Sequence, residues 1–192
     1  MATEIELKAH VEDSEALRLI LSNKADYLGV FEKDDTYWYP SGASPLSPYG
    51  LRVRRVKRTL PGRKAETAVF ATYKTKDLRS GYEVNDEREF EIRSSSSSPP
   101  AEVFEELLTK LGLKSGAGKQ KRGWVFYKDG INAELVEVEG LGWFVELEIL
   151  SDSSQEASVA KARKQLLDFL DELGISAKAI ESRSYLTLLA KQ

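Results

Sequence analysis

The stretch that most restricts the fold comes first: Glu4-Ile5-Glu6-Leu7-Lys8 alternates charged and apolar residues. Side chains on a strand point alternately to the two faces, so Glu4, Glu6 and Lys8 share one face, and Ile5 and Leu7 the other. A half-buried strand usually turns its apolar face to a core and a mixed polar face to water. Here the polar face holds two acids and one base, and nothing neutral. Either that face is solvated, or it lines a cavity in which the acids hold a metal and the base holds an anion. The other strands decide between these.

The charged pattern recurs. Residues 50–58 contain LRVRRVKR, with Arg52 and Arg54 on one face and Arg55 and Lys57 on the other. Like charges packed so closely repel unless an anion or carboxylates sit among them. The bland alternative is an edge strand kept basic against aggregation. Residues 66–74 set Thr72 and Lys74 against Val69, Ala71 and Tyr73, and residues 82–92 line up Glu87, Glu89 and Glu91. Lys119, Lys121 and Arg122 lead into a strand over 124–128, and Asp129-Gly130 marks a hairpin. The return strand, 131–138, carries Glu134. The last, 143–150, sets Phe144, Glu146 and Glu148 against Val145, Leu147 and Ile149. Residues 27–39, rich in aromatic and β-branched side chains, make one more strand, with room for a bend.

Helices alternate with these strands. Asp13 or Ser14 caps one that carries Leu17, Ile20 and Leu21. A second spans 101–111, presents Val103, Phe104, Leu107, Leu108 and Leu111, and stops at Gly112. It follows a serine run, 94–98, and Pro99-Pro100, which read as a linker. A long helix over 154–173 has a stripe of Leu166, Leu167, Leu170 and Leu173, lies as a lid on the outside of the sheet, and ends at Gly174. A short helix over 186–191 closes the chain.

Eight strands with one apolar and one charged face admit two arrangements. An open sheet leaves its charges in water. A closed barrel puts apolar residues outside, under helices, and charges inside, which is costly unless acids, bases, water and ligand neutralise one another. Both signs occur on the charged faces. Lys8, Arg52, Arg54, Lys74, Lys119 and Lys121 stand against Glu4, Glu6, Glu87, Glu89, Glu134, Glu146 and Glu148. That balance favours an α+β fold built on a closed eight-stranded β-barrel with helices packed outside. A triphosphate with one or two Mg²⁺ suits such a lining, the bases gripping phosphoryl oxygens and the acids holding metal.

Composition removes other chemistries. The chain has no cysteine, which excludes disulfides, thiolate nucleophiles and zinc-thiolate sites. His10 is the one histidine, so a His–His metal site is excluded; between strand and helix it reads as a surface or packing residue. Any metal must rest on carboxylates, which favours Mg²⁺ or Mn²⁺. Net charge is -3, giving no global pull toward nucleic acid or anionic membrane. No membrane span or targeting signal is visible, so a cytoplasmic protein is expected.

EIELK, LRVRR, ATYK, EREFE, KQKR, AELVEVEGLGWFVELEI and ESRSYLTLL occur here in the order found in the CYTH-like, or triphosphate tunnel, family. The chain resembles its short bacterial and archaeal branch, labelled class IV adenylate cyclase-like, from Thr3 to Leu189. The resemblance implies a single domain over 1–192, a closed antiparallel eight-stranded β-barrel forming a tunnel that binds a triphosphate end-on with Mg²⁺ or Mn²⁺. By position, Glu4, Glu6, Glu134 and Glu146 resemble the metal-side acids. Lys8, Arg52, Arg54, Lys74 and Arg183 resemble the phosphate-binding bases, with Lys119 and Lys121 preferred to Arg122 for the family's Lys-x-Arg. Glu87 and Glu89 resemble acids that pair with those bases. Glu4, Glu6 and Lys8 are expected at the chemistry. Where relatives carry Asp-Phe after the GLG turn, Trp143 stands here, which implies a different tunnel mouth, and the stretch 119–122 fits the family only with a shift or bulge.

The expected activity is metal-dependent hydrolysis of a triphosphate: inorganic triphosphate, thiamine triphosphate or a nucleoside triphosphate such as ATP. The alternatives are an adenylate cyclase making cyclic AMP and pyrophosphate, and a non-catalytic module that binds polyphosphate or nucleotide. An RNA 5′-triphosphatase, prompted by the basic run 52–58, ranks below them. The expected partner is a small-molecule triphosphate, with no membrane, and nucleic acid is disfavoured.

Overall fold

The computed structural model describes residues 3–43, 51–79, 82–93, 98–153 and 155–191, with the backbone alone for 74–79 and 82–87. The side chains expected at Lys74 and Glu87, and all of the serine run but Ser98, lie outside the described residues. The order is β1 (Thr3–His10), α1 (Ser14–Lys24), β2 (Asp26–Pro40), β3 (Leu51–Thr59), β4 (Glu66–Arg79), β5 (Tyr82–Glu91), α2 (Pro100–Lys110), β6 (Leu113–Lys128), β7 (Ile131–Val138), β8 (Gly142–Ser151), α3 (Glu156–Glu172) and α4 (Tyr185–Leu189). A 3-10 turn, Ala177–Ala179, precedes α4. The class is α+β: an eight-stranded antiparallel curled sheet with four α-helices among the described residues.

Local chemistry sets these boundaries. The Asp13 carboxylate accepts from the Ala16 N–H at 2.9 Å and caps α1. Pro100 occupies the first helical position of α2, where its missing N–H costs nothing. Between β6 and β7, Asp129 and Gly130 both have positive φ, 49° and 88°, as a tight two-residue hairpin turn requires. The bend foreseen in the second strand is real. The β2–β6 register shifts between Tyr27 and Gly29, where Gly29 takes φ 133° and a Cβ would lie 2.3 Å from the Thr59 carbonyl oxygen. A second shift falls between Thr36 and Trp38. β6 starts at Leu113, well before the strand expected over 124–128.

The strand order is β1-β5-β4-β3-β2-β6-β7-β8, and the sheet curls until β5 and β8 both flank β1. The β1–β8 ladder runs from Thr3↔Ser151 to His10↔Phe144, whereas among the described residues β1 meets β5 through residues 3–6. The apolar face is the outer one. Ile5, Leu7, Ala9, Leu135, Val145 and Leu147 are buried there with Leu17 and Leu21 of α1 and with Val159, Leu166, Phe169 and Leu170 of α3. α2 buries Ala101 and Leu108 against Trp38 and Val53. The long third helix thus covers the sheet from outside, as its leucine stripe implies. Two buried aliphatic layers clamp the outer face, so the opposite face of the same strands is fixed inward by alternation alone.

Candidate functional site

The register carries charge from strand to strand around the inner face. Lys8 of β1 stands opposite Glu146 of β8, and Glu146 opposite Glu134 of β7. On the other side, Lys121 and Lys119 of β6 stand opposite Lys33 and Asp35 of β2. Asp35 and Tyr37 in turn oppose Arg54 and Arg52 of β3. Arg52 opposes Thr72 of β4, and Thr72 opposes Glu89 of β5. Lys8, Lys33, Asp35, Arg52, Thr72, Lys121, Glu134 and Glu146 are all buried.

These groups form three sets. In the first, Asp35, with no exposed surface, accepts from two nitrogens of Arg54: Nε to Oδ1 at 2.6 Å and Nη2 to Oδ2 at 2.9 Å. Lys119 Nζ adds a contact at 3.5 Å. Burial alone would raise the Asp35 carboxyl; the Arg54 guanidinium overrides it and holds the group well below the usual carboxylate range. In the second set, Lys33 Nζ reaches both oxygens of Glu134 at 2.6 and 2.8 Å, and Lys121 Nζ both oxygens of Glu146 at 2.7 and 3.0 Å. Burial lowers Lys33 to about 8 against the upward pull of Glu134. For Lys121 the pull of Glu146 and Glu134 exceeds the burial effect, and its affinity for the proton rises. Both carboxyls, although buried, stay below their ordinary values because of the lysines. In the third set, Arg52 Nη2 donates to Thr72 Oγ1 at 3.0 Å and to Glu89 at 3.4 Å, while the Thr72 hydroxyl donates to Glu89 at 2.8 Å.

Tyr185, the first residue of α4, packs into this lining. Its ring centroid lies 5.4 Å from Lys8 Nζ, 5.2 Å from Lys119 Nζ and 5.7 Å from Lys121 Nζ, and 5.0 Å from the Phe144 ring in an edge-on pose. Such cation–π contacts let three ammonium groups crowd together. Burial, with the Glu146 charge, pushes the Tyr185 hydroxyl well above its ordinary value. Phe31, Val136, Val138 and Phe144 form an apolar patch around that ring.

Most residues singled out from sequence come together here. Lys8, Arg52, Arg54, Lys119, Lys121, Glu89, Glu134 and Glu146 occupy this lining, and Glu4 and Glu6 are half-buried on the same face of β1. Arg183 stands apart: its Nε and Nη2 bind the two oxygens of Glu181 at 2.9 and 2.5 Å, and its side chain is 49% exposed. The Glu181 amide donates to the Lys8 carbonyl at 2.9 Å, and His10 Nε2 lies 3.4 Å from the same carboxylate, so His10 has a pairing role at the surface. The β2–β6 register is unbroken from Arg122 to Lys119, so no shift or bulge is needed there; Arg122 turns outward onto Glu137 at 2.6 Å. Trp143 also faces outward and stacks on Trp124 at 5.4 Å, so the departure at that position changes the outer packing and leaves inward-facing Phe144 in place.

The lining also holds residues that the sequence reading passed over: Lys33, Asp35, Tyr37 and Tyr185. The sequence does hold a signal for the first three, since Phe31, Lys33, Asp35 and Tyr37 alternate along β2. It is masked because Glu32 and Asp34 charge the other face as well. Tyr185 had no such signal.

The four carboxylates expected at a metal, Glu4, Glu6, Glu134 and Glu146, fit Mg²⁺ or Mn²⁺ in kind, being hard oxygen donors on adjoining strands. Glu6 faces Glu148 and Glu134 faces Glu146 directly across their ladders, pairs of like charge that favour an intervening cation. In this arrangement the cations on Glu134 and Glu146 are ammonium groups, and no three acidic or imidazole groups converge among the described residues. Also among the described residues, no helix is long and apolar enough to cross a membrane.

A family model described as the CYTH domain matches residues 2–185. A Methanocaldococcus jannaschii protein, provisionally named an adenylate cyclase, is 29% identical over 70% of this chain and 73% of its own. The structure of the PH1819 protein of Pyrococcus horikoshii superposes with a TM-score of 0.80 at 27% identity, covering 98% of this chain and 99% of that one. A Hippeastrum protein, HpAC1, provisionally an adenylyl cyclase and described as revealing a dominant triphosphatase activity, shares the fold with a TM-score of 0.66. It does so at 17% identity, over 100% of this chain and 96% of its own.

Proposed function

The chain belongs to the CYTH domain family, and from that premise we propose that it is a metal-dependent triphosphatase whose curled sheet works as a closed tunnel. The substrate class is inorganic, thiamine or nucleoside triphosphate. The observation that carries this reading is the inward lattice of buried, fully engaged acid–base pairs: Lys33–Glu134, Lys121–Glu146 and Arg54–Asp35. Apolar replacements of similar size are often as stable as a buried ion pair, so such a lattice gives little stability to justify it. It suits a ligand that brings both signs at once, a polyanion with a divalent cation.

Arg52, Arg54, Lys8, Lys119 and Lys121 would orient the phosphates and neutralise their charge, and Lys74 and Arg183 are proposed to join them. Positioning and electrostatic stabilisation account for most of the acceleration in phosphoryl transfer. A divalent ion, when bound by Glu4, Glu6, Glu134 and Glu146, supplies Lewis acidity at a phosphoryl oxygen. Glu89 holds Arg52 in place through Thr72, and Glu87 is proposed to do the same for Lys74.

The names of the relatives favour a second reading, cyclisation of ATP by its 3′-hydroxyl with release of pyrophosphate. Hydrolysis is preferred because it needs a grip on phosphates alone, whereas cyclisation also needs a pocket for base and ribose. Product analysis separates these. The chain is incubated with tripolyphosphate, thiamine triphosphate and ATP, each with Mg²⁺ or Mn²⁺, and phosphate is resolved from cyclic AMP. Release of phosphate is the expected result. Cyclic AMP from ATP would reverse the order, and tight binding without turnover would mark a non-catalytic module.

A further inference from the structure

Lys33 has no part in the phosphate grip just described, yet it is buried in the lining. It stands directly opposite Lys121 across the β2–β6 ladder, a juxtaposition that is unfavourable by itself. Each lysine reaches a different acid: Lys33 takes both oxygens of Glu134, and Lys121 both oxygens of Glu146, with a longer approach of 3.9 Å to Glu134. The two carboxylates are themselves cross-strand neighbours on β7 and β8. Lys33 is steadied on its own strand by the Phe31 ring, whose centroid lies 4.4 Å from Nζ. Two acids side by side thus have two ammonium groups where a shared cation would sit.

We propose that Lys33 is a positioning residue, a tethered stand-in for metal that holds Glu134 until metal and polyanion arrive together. The proposal rests on the reading that this lining takes a divalent ion with a triphosphate. The two lysines and two glutamates sum to zero charge. A bare divalent ion entering the quartet must displace ammonium groups and leaves a buried excess of positive charge, which is unfavourable. An ion entering with a triphosphate does not, because the negative charge of the polyanion offsets the displaced ammonium groups. Metal and anion therefore bind with positive, reciprocal coupling, and Lys33 is a source of it.

The test is Mn²⁺ binding to the full chain, read from the free-ion electron paramagnetic resonance signal. It is run alone and with imidotriphosphate, a triphosphate analogue that resists hydrolysis, the analogue's own chelation of Mn²⁺ being subtracted with a protein-free titration. For the wild type, the analogue is expected to tighten Mn²⁺ binding roughly tenfold or more. Lys33→Met is expected to bind Mn²⁺ alone roughly tenfold tighter than the wild type and to gain less from the analogue. Lys33→Arg, which keeps the charge, should stay close to the wild type, and Glu134→Gln should lose binding in both conditions. Lys33→Gln serves if Lys33→Met does not fold, and the wild-type coupling needs no variant. Wild-type Mn²⁺ binding that ignores the analogue, or a Lys33→Met affinity equal to the wild type, would overturn the proposal while leaving the metal reading intact. No Mn²⁺ binding by any variant in either condition would overturn both.

Discussion

On β8, Val145 and Leu147 are fully buried against the helices outside, while Glu146 between them is buried on the opposite face against Lys121. β1 repeats the contrast, with Ile5 and Leu7 outward and Glu6 and Lys8 inward. Similar burial has opposite meaning on the two faces. Outside, apolar area removed from water stabilises the fold, at about 25 cal/mol per Å². Inside, desolvation opposes the charges, and their mutual attraction roughly restores the balance. One face holds the molecule together, and the other stores a densely charged lining in which acids and bases pair.

The sharpest way to break that contrast is to unbalance the inner face. Lys121→Met alone leaves Glu146 buried against the remaining bases and should cost about 3–5 kcal/mol of unfolding free energy. Adding Glu146→Leu should restore stability to near the wild-type value or above it, with activity lost in both variants. Urea denaturation checks this, and a double variant as unstable as the single would show that the pair holds the fold together after all.

Leu147→Ala probes the outer face. It should cost about 2–5 kcal/mol through lost burial and a residual cavity, while turnover per folded molecule is kept.

Arg52→Ala should do the reverse. Its partner Glu89 is 40% exposed and can turn to water, so stability changes little, whereas triphosphate turnover should fall roughly 10²–10³-fold. Steady-state kinetics beside a melting curve separates the two effects.

The smallest expected effect is at Glu181. Hydrogen bonds from Arg183 hold its carboxyl at about 2 in the folded chain, below its ordinary 4.5. The folded value is the lower one, so this stabilisation is full above pH 4.5 and fades as pH falls toward 2. Melting temperatures of wild type and Glu181→Gln should therefore differ near neutrality and converge at low pH.

The contrast also explains what the sequence could disclose. β1 and β8 have one charged and one apolar face, so Glu6, Lys8 and Glu146 could be placed by alternation. β2 carries Glu32, Lys33, Asp34 and Asp35 in succession, both faces are charged, and alternation cannot say which members turn inward. Only the apolar layers on the neighbouring strands fix that choice, and they are long-range. Lys119 and Lys121 are ambiguous against Arg122 in the sequence, because Gly116 and Gly118 obscure the strand character of β6 ahead of 124; the unbroken β2–β6 register over 119–122 is what separates them. The packing of Tyr185 against three lysines depends on where α4 docks, and nothing local in the sequence encodes it. Arg183, placed by resemblance among the phosphate-binding bases, binds Glu181, a neighbour two positions away.

The central claim is that the ligand site is built on the inward-facing charges of the strands and owes nothing to the outward-facing ones. Calorimetric titration of imidotriphosphate with Mn²⁺ into wild type, Arg52→Ala and Arg122→Ala tests it most directly, because Arg52 faces inward and Arg122 pairs with Glu137 outside. Arg122→Ala is expected to keep wild-type affinity, and Arg52→Ala to bind more weakly by roughly tenfold or more, the loss of a charge-assisted contact. Equal losses in both, or a loss at Arg122 alone, would contradict the claim.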